Sequence, residues 1–292
     1  MTHLRNLWKY HWGYFFILPH FTLFVIFFLI PVVYGMHLSL FDYNFFSKNF
    51  IGLGNYKFLF GDWLFKKALA NTFLYTFGVV PLWLGKALLI TALIYPFRKS
   101  IRTFYKAIFY LPHVTSSVII AMIWLWVFNP SFGLLNHMMK QLGLKPIIWL
   151  GNKMTALPSL VAVQVIMGGG STIVLLSAAM SSIPEYYFES AKLEGASSWQ
   201  IFRKITIPLL KPTILYSLVI GTIANFQTFS NIYVMTKGGP EFSTMTTSYL
   251  VYETAFKNYD LGLACAQSMI IFAILVCLAL IQFKWLGSSV EY

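Results

Sequence analysis

Six long apolar runs punctuate this 292-residue chain, near residues 14–39, 68–95, 107–128, 156–180, 213–236 and 261–285. Each approaches or exceeds the ~20 residues that a helix needs to cross ~30 Å of hydrocarbon. In such a medium every backbone N–H and C=O must find a partner within the chain, and helices achieve this segment by segment. Only 10% of the residues are charged and 58% are hydrophobic, whereas a soluble domain carries roughly 25% charged residues. One soluble core could not bury that much apolar side chain. The expected fold is therefore an all-α polytopic membrane protein with six transmembrane helices and both termini on one side. Arg5 and Lys9 precede the first run, but no small-x-small cleavage pattern follows, so it reads as an uncleaved span. Trp8, Tyr10, Trp12, Trp124, Trp126 and Trp285 stand at span ends, where interfacial belts place aromatic rings.

The net charge of +12 is scattered between the apolar runs and forms no stripe. That distribution points to anionic lipid headgroups and away from nucleic acid. With the N-terminus inside, the inner segments hold 11 of the 21 Lys and Arg, the outer loops hold nine, and Lys86 falls within a span. All four arginines (Arg5, Arg98, Arg102, Arg203) are then inside, which favours cytoplasmic termini. The nine carboxylates, Asp42, Asp62, Glu185, Glu189, Glu194, Glu241, Glu253, Asp260 and Glu291, all lie outside the spans. Ion-coupled carriers keep acidic groups at membrane depth, so an ion-driven mechanism is disfavoured. No phosphate-binding loop, His-Glu-x-x-His pattern or Ser/His/Asp arrangement occurs. Neither catalytic residues nor metal ligands are expected. Cys265 and Cys277 lie in one apolar run about 18 Å apart as helix, too far to pair within it.

The most informative segment is the polar loop 184–211. Pro184 suits a helix start, Glu185 and Glu189 lie toward its positive end, and Gly195 is placed for a left-handed cap. Ser197 with Gln200 makes a capping-box pattern for a second helix. Trp199, Phe202 and Ile205 give that helix an apolar stripe, and Pro208 and Pro212 close it. The loop reads as a short helix, a glycine bend and an interfacial helix. It is either an amphipathic connector or a docking element.

Glu189-Ser-Ala-Lys-Leu-Glu-Gly-Ala196, followed by Phe202, Ile205 and Pro208-Leu-Leu210, resembles the EAA signature of binding-protein-dependent ABC importer permeases. Ser190 stands where alanine is usual, and Glu194 where aspartate is. Phe50-Ile-Gly-Leu-Gly-Asn-Tyr56 before Asn71-Thr72, Leu111-Pro112, Phe128-Asn-Pro-Ser-Phe-Gly133 with Asn136, and Thr236-Lys-Gly-Gly-Pro240 extend the resemblance in order and spacing. The last is similar to the T-x-G-G-P of the carbohydrate-uptake subfamily, which includes the larger maltose and the glycerol-phosphate permease subunits. The resemblance implies a type I ABC importer permease fold. Residues 1–66 would hold the N-terminal segment, first span and outer loop, 67–286 the permease core, and 287–292 a tail. It also implies that Glu189, Ala191, Leu193, Glu194, Gly195 and Ala196 form a cytoplasmic coupling helix seated on an ATPase.

The implied partners are a second six-helix permease in a heterodimer, two cytoplasmic ATPase subunits, an extracytoplasmic solute-binding protein and membrane lipid. ATP and Mg belong to the ATPase, and no cofactor is expected on this chain. The implied location is the inner membrane of a bacterial or archaeal cell. A sugar or oligosaccharide is the expected cargo, moved by alternating access. An anionic solute such as glycerol-3-phosphate or a uronate is the alternative.

Polar residues within spans are costly unless they face protein or a cavity. Gln164, Gly168 and Ser171 are spaced to share one face of the fourth span, Gly221, Asn225 and Thr228 one face of the fifth, and His113 and Ser117 one face of the third. A shared cavity of amides and hydroxyls would suit a hydroxyl-rich solute, with Phe226 placed to stack on a pyranose. Small residues such as Gly168–Gly170 serve equally for helix packing. Lys86 reads as a packing or snorkelling residue, with pairing to another subunit or facing the translocation path as the alternatives.

Overall fold

Three of the six apolar runs fold as single long helices and three are broken by sharp bends. A computed structural model describes residues 11–44 and 47–286. Arg5, Trp8, Lys9, Tyr10, the Trp12 side chain and the 287–292 tail lie outside the described residues. In chain order the first elements are α1 (residues 11–38), the hairpin β1 (Phe41–Tyr43) and β2 (Lys48–Phe50), α2 (Gly54–Gly61) and α3 (Trp63–Ile94). Next come α4 (Lys99–Val114), α5 (Ser117–Val127), α6 (Leu134–Gln141), α7 (Ala156–Met167) and α8 (Gly170–Ser181). After α9 (Tyr186–Leu193) follow α10 (Ser198–Leu209) and α11 (Lys211–Phe226). The last helices are α12 (Ser230–Met235), α13 (Thr247–Tyr252) and α14 (Leu261–Leu286).

The bends have local causes. α4 and α5 meet at 92°. Pro112 weakens the end of α4, Thr115 and Ser116 are extended, and the Ser116 hydroxyl accepts from Val118 N to start α5 afresh. The apolar run near 107–128 is therefore a bent pair of helices. α7 and α8 meet at 43° because Gly168 is extended and Gly169 takes φ +96°, a conformation glycine adopts without penalty. α10 and α11 meet at 69° across Leu210, which sets the polar loop apart from the fifth span.

Two compact units result. One comprises the chain up to Gly61 with Val251–Ile271; the other comprises Asp62–Leu250 with the segment from Phe272 onward. In the first unit the apolar side chains of α1 stand outward, with none of its spanning window buried, as a lipid-facing helix requires. Asn55 ties the unit together by donating to the carbonyls of Ser39 and Phe41, 2.9 Å each. The Tyr56 hydroxyl meets Ser39 Oγ at 2.7 Å. The Gly-Asn-Tyr motif is thus a clasp at the end of α1.

In the second unit α3 is the axis, packed against α7, α8 and α11. Asp62 begins it, its carboxylate accepting from Leu64 N and Phe65 N. Near this end Asn71 Nδ2 donates to the carbonyls of Phe242 and Met245, at 2.8 and 3.0 Å. Thr72 Oγ1 accepts from Thr247 N at 2.9 Å. These bonds fix the Thr236–Pro240 turn, where Gly238 has φ +80° and Thr244 donates to the Gly239 carbonyl. Asn136, 1% exposed, donates to Pro130 and Ile147 carbonyls and accepts from Ile147 N and Trp149 Nε1. The other end of the unit holds an apolar core of Leu84, Ala87, Ile94, Ile173, Leu176, Leu210 and Ile214.

Candidate functional site: an exposed loop helix and a polar cluster between spans

α9 is the expected short helix. Its end is a two-bond cap: Ala196 N donates to Ala191 O at 2.9 Å and Gly195 N to Lys192 O at 3.0 Å, with Gly195 at φ +76°. The next helix opens with the expected capping box, Gln200 N to Ser197 Oγ and Ser197 N to Gln200 Oε1. Pro184 does not open α9; it precedes Glu185, the residue that caps the helix. Phe188 alone of α9 is buried, packed in the apolar core with its ring 5.9 Å from Tyr95. Glu189, Lys192, Leu193, Glu194 and Gly195 are exposed, and Ala191 and Ala196 half-buried. Leu193 is 89% exposed, an unusual place for a large apolar side chain at the tip of a polar loop. α9 completes its own C-terminal cap, is pinned by the Phe188 ring and presents Glu189 and residues 192–195 outward.

The residues expected to line a cavity fare differently. His113 and Ser117 do not share a face, because the break at Thr115–Ser116 separates them; both are exposed, and His113 lies against Tyr110. Gln164 and Ser171 are divided by the Gly168–Gly169 break, and Ser171 is exposed in the first turn of α8. Gly168 and Gly221 both lie against Trp83: a Cβ on Gly221 would come within 2.5 Å of Cζ3, and one on Gly168 within 3.1 Å of Cδ1. Their small size makes room for an indole, so the packing reading holds for both. Asn225 is buried and donates to the Gly221 carbonyl of its own helix, 2.8 Å. Phe226 is 0% exposed against Phe73, which corrects its expected stacking role.

Gln164 does meet another polar side chain, its Oε1 accepting from Asn231 Nδ2 at 3.1 Å. Tyr75 is fully buried, its hydroxyl near Thr228 and Asn231 but making no hydrogen bond among the described residues. Tyr75, Gln164, Thr228 and Asn231 thus form a cluster contributed by α3, α7, the break after α11 and the first turn of α12. Tyr75 and Asn231 were not singled out from the sequence, although Asn231 continues the Gly221, Asn225, Thr228 spacing by three residues and could have been found that way.

Lys86 follows the packing reading: it is held inside the chain by backbone carbonyls. Its ammonium reaches into the α7–α8 bend and donates to the carbonyls of Val165, Ile166 and Gly168. Those carbonyls lose their helical partners where α7 stops, and a cation suits the negative helix end. All three N–H donors of Lys86 are engaged there.

Comparison with known proteins agrees with this arrangement. The model of the family described as "Binding-protein-dependent transport system inner membrane component" matches residues 87–290. The chain is 35% identical over 286 residues to the probable ABC transporter permease protein YesP of Bacillus subtilis, covering 96% of this chain and 92% of that protein. It is 30% identical over 284 residues to the sn-glycerol-3-phosphate transport system permease protein UgpA of Agrobacterium fabrum, covering 96% of each. Its fold matches a chain of a bacterial alginate ABC transporter solved with an alginate-bound periplasmic protein, with TM-score 0.85, 24% identity and coverage of 96% and 95%. A six-run helical membrane chain, a self-capped outward loop helix and these full-length matches lead to one conclusion: the protein belongs to the family of inner-membrane permease components of binding-protein-dependent ABC transport systems.

Proposed function

We propose that this chain is one permease subunit of an ATP-driven importer that carries a sugar or oligosaccharide inward by alternating access. The exposed tip of α9 carries the reading. Glu189, Ala191, Leu193, Glu194, Gly195 and Ala196 would be the surface that an ATPase subunit grips, with Leu193 as the apolar contact and Glu189 as the charged one. On this reading the 184–211 loop and both termini would be cytoplasmic, and the Thr236–Pro240 turn would face the binding protein. The partners would be a second permease, paired as a heterodimer, two ATPase subunits that hold ATP and Mg, and the solute-binding protein. This chain would perform no covalent chemistry and hold no cofactor.

Gln164 and Asn231, with Tyr75 and Thr228, are the groups best suited to read a hydroxyl-rich solute, since amides and hydroxyls both donate and accept. His113, Ser117 and Ser171, exposed on neighbouring segments, are available to line the path. Glycerol-3-phosphate or an acidic saccharide is the second reading, favoured by the 30% identical glycerol-phosphate relative. Against it, Lys86 is committed to the α7–α8 bend, so an anion would draw its counter-charge from another subunit.

The test is uptake by the reconstituted complex with its ATPase and binding protein, over a panel of neutral and acidic saccharides. ATP-dependent uptake of a neutral saccharide, lost in Glu189→Lys and lowered in Gln164→Ala, is expected. Uptake that persists without ATP and follows a proton gradient would overturn the importer reading. Preference for phosphorylated or uronic solutes would select the second.

A further inference from the structure

A second polar site lies beside the loop helix and belongs to neither the docking tip nor the cluster between the spans. It is a cavity of about 610 Å³ between α4, the end of α8 and the turn before α9. Lys99, Arg102, Thr103 and Lys106 form one wall, and Ser181, Ser182 and Glu185 another, with Tyr95 at its back. The three cations recur at i, i+3 and i+7, hence on one face of α4. The hydroxyls are already engaged: Thr103 donates to Lys99 O, Ser181 to Ser177 O and Ser182 to Ala178 O. The charged donors in the cavity are the three cations.

Arg102 is held over the Tyr95 ring at 5.2 Å, which fixes its direction. Its Nε is buried and makes no hydrogen bond. Among the described residues no carboxylate forms a salt bridge with Lys99, Arg102 or Lys106. Three cations against Glu185 leave an excess of positive charge around a space large enough for a small anion. The opposite face of α4 presents Ile101, Phe104 and Ile108 outward, the apolar side of a helix that lies along lipid.

We propose that this cavity binds a phosphoester anion, with the Arg102 guanidinium and the Lys99 and Lys106 ammoniums as its donors. The apolar flank of α4 favours the headgroup of an anionic phospholipid as the source, its acyl chains running along Ile101, Phe104 and Ile108. A basic cavity at a span end is the usual form of such a headgroup site. This assignment does not depend on which solute the permease carries or on which residues the ATPase grips.

The assembled transporter, purified in detergent and stripped of lipid, is titrated with dioleoylphosphatidylglycerol, dioleoylphosphatidylcholine or inorganic phosphate, and adducts are read by native mass spectrometry. Phosphatidylglycerol should be retained at least roughly tenfold better than phosphatidylcholine, and Lys99→Gln with Lys106→Gln should reduce that retention on the order of tenfold. Arg102→Lys should keep most of the binding that Arg102→Gln loses. The exposed pair Lys140→Gln with Lys145→Gln, outside the cavity, should change nothing. Inorganic phosphate that binds alone and displaces the lipid would support the site and assign it to a soluble phosphate. Equal retention of both lipids with no phosphate binding, or unchanged retention in the double variant, overturns the proposal. So does loss of the ATPase subunit from these variants while the lipid stays bound, since the cavity would then be a protein contact.

Discussion

At one end of α3, Asn71 and Thr72 turn inward and bind the Thr236–Thr247 segment, much as Asn136 binds its own loop. Toward the other end, some 36 Å along the helix at 1.5 Å per residue, α9 and α10 complete their own caps and leave Leu193 and Glu189 facing outward. Both regions carry motifs of similar length and polarity. In the first, Asn71, Thr72 and Asn136 are buried and each side chain has hydrogen-bond partners within the chain. In the second, the backbone alone is satisfied and the side chains are presented. A motif of the first kind maintains the fold; one of the second kind is, on the proposed function, a surface for a partner subunit.

Substitutions should separate the two. The largest loss of stability is expected for Asn136→Ala, which removes a buried amide with two donated and two accepted bonds. Orphaning such partners costs about 2–4 kcal/mol. The melting temperature of the purified protein should fall sharply, with uptake per folded molecule preserved. An unchanged melting temperature would show that Asn136 is not a clasp.

Lys86→Met comes next. It strands the carbonyls of Val165, Ile166 and Gly168 at the α7–α8 bend. Side-chain bonds between membrane helices are worth about 1–2 kcal/mol at most, so a moderate loss of thermal stability is expected. A binding role for Lys86 would instead leave the melting curve intact and abolish uptake of anionic solutes only.

Gly195→Ala stands on the boundary between the two regions. An alanine at φ +76° costs roughly 1 kcal/mol, and no side chain crowds the site. A small drop in melting temperature should accompany a larger drop in ATP-driven uptake if, as proposed, the tip of α9 docks the ATPase, because the strain falls on its geometry.

What the sequence disclosed follows the same division. Six spans were legible from apolar length, since hydrocarbon thickness imposes it. The caps of α9 and α10 were legible because Gly195, Ser197 and Gln200 act within four residues of themselves. The breaks at Thr115–Ser116 and Gly168–Gly169 were not, and with them failed the shared faces of His113 with Ser117 and Gln164 with Ser171. Helical periodicity assumes an unbroken helix, and a polar-to-polar spacing carries no sign of where the backbone turns. Trp83 explains the rest: it occupies the space that Gly168 and Gly221 leave open, a contact between residues 85 and 138 positions apart in the case of Gly168 and Gly221. No local pattern could reveal it.

The smallest effect on stability and the most telling one belongs to Leu193→Ser. The side chain is 89% exposed, and surface substitutions of this kind usually stay within about 0.5 kcal/mol of neutral. Helix propensity changes little at the last turn, and the Gly195 cap bonds involve backbone alone. The melting curve should therefore overlay that of the unaltered protein. Copurification of the ATPase subunit should nonetheless weaken, because an apolar residue at the centre of a contact contributes far more to binding than to the free fold. Glu189→Lys should behave likewise, with the loss growing at low salt as charge repulsion with the partner is less screened. A Leu193 variant that melts normally and retains both the ATPase and full uptake would make α9 a mere connector, and would remove the difference between the two ends of α3.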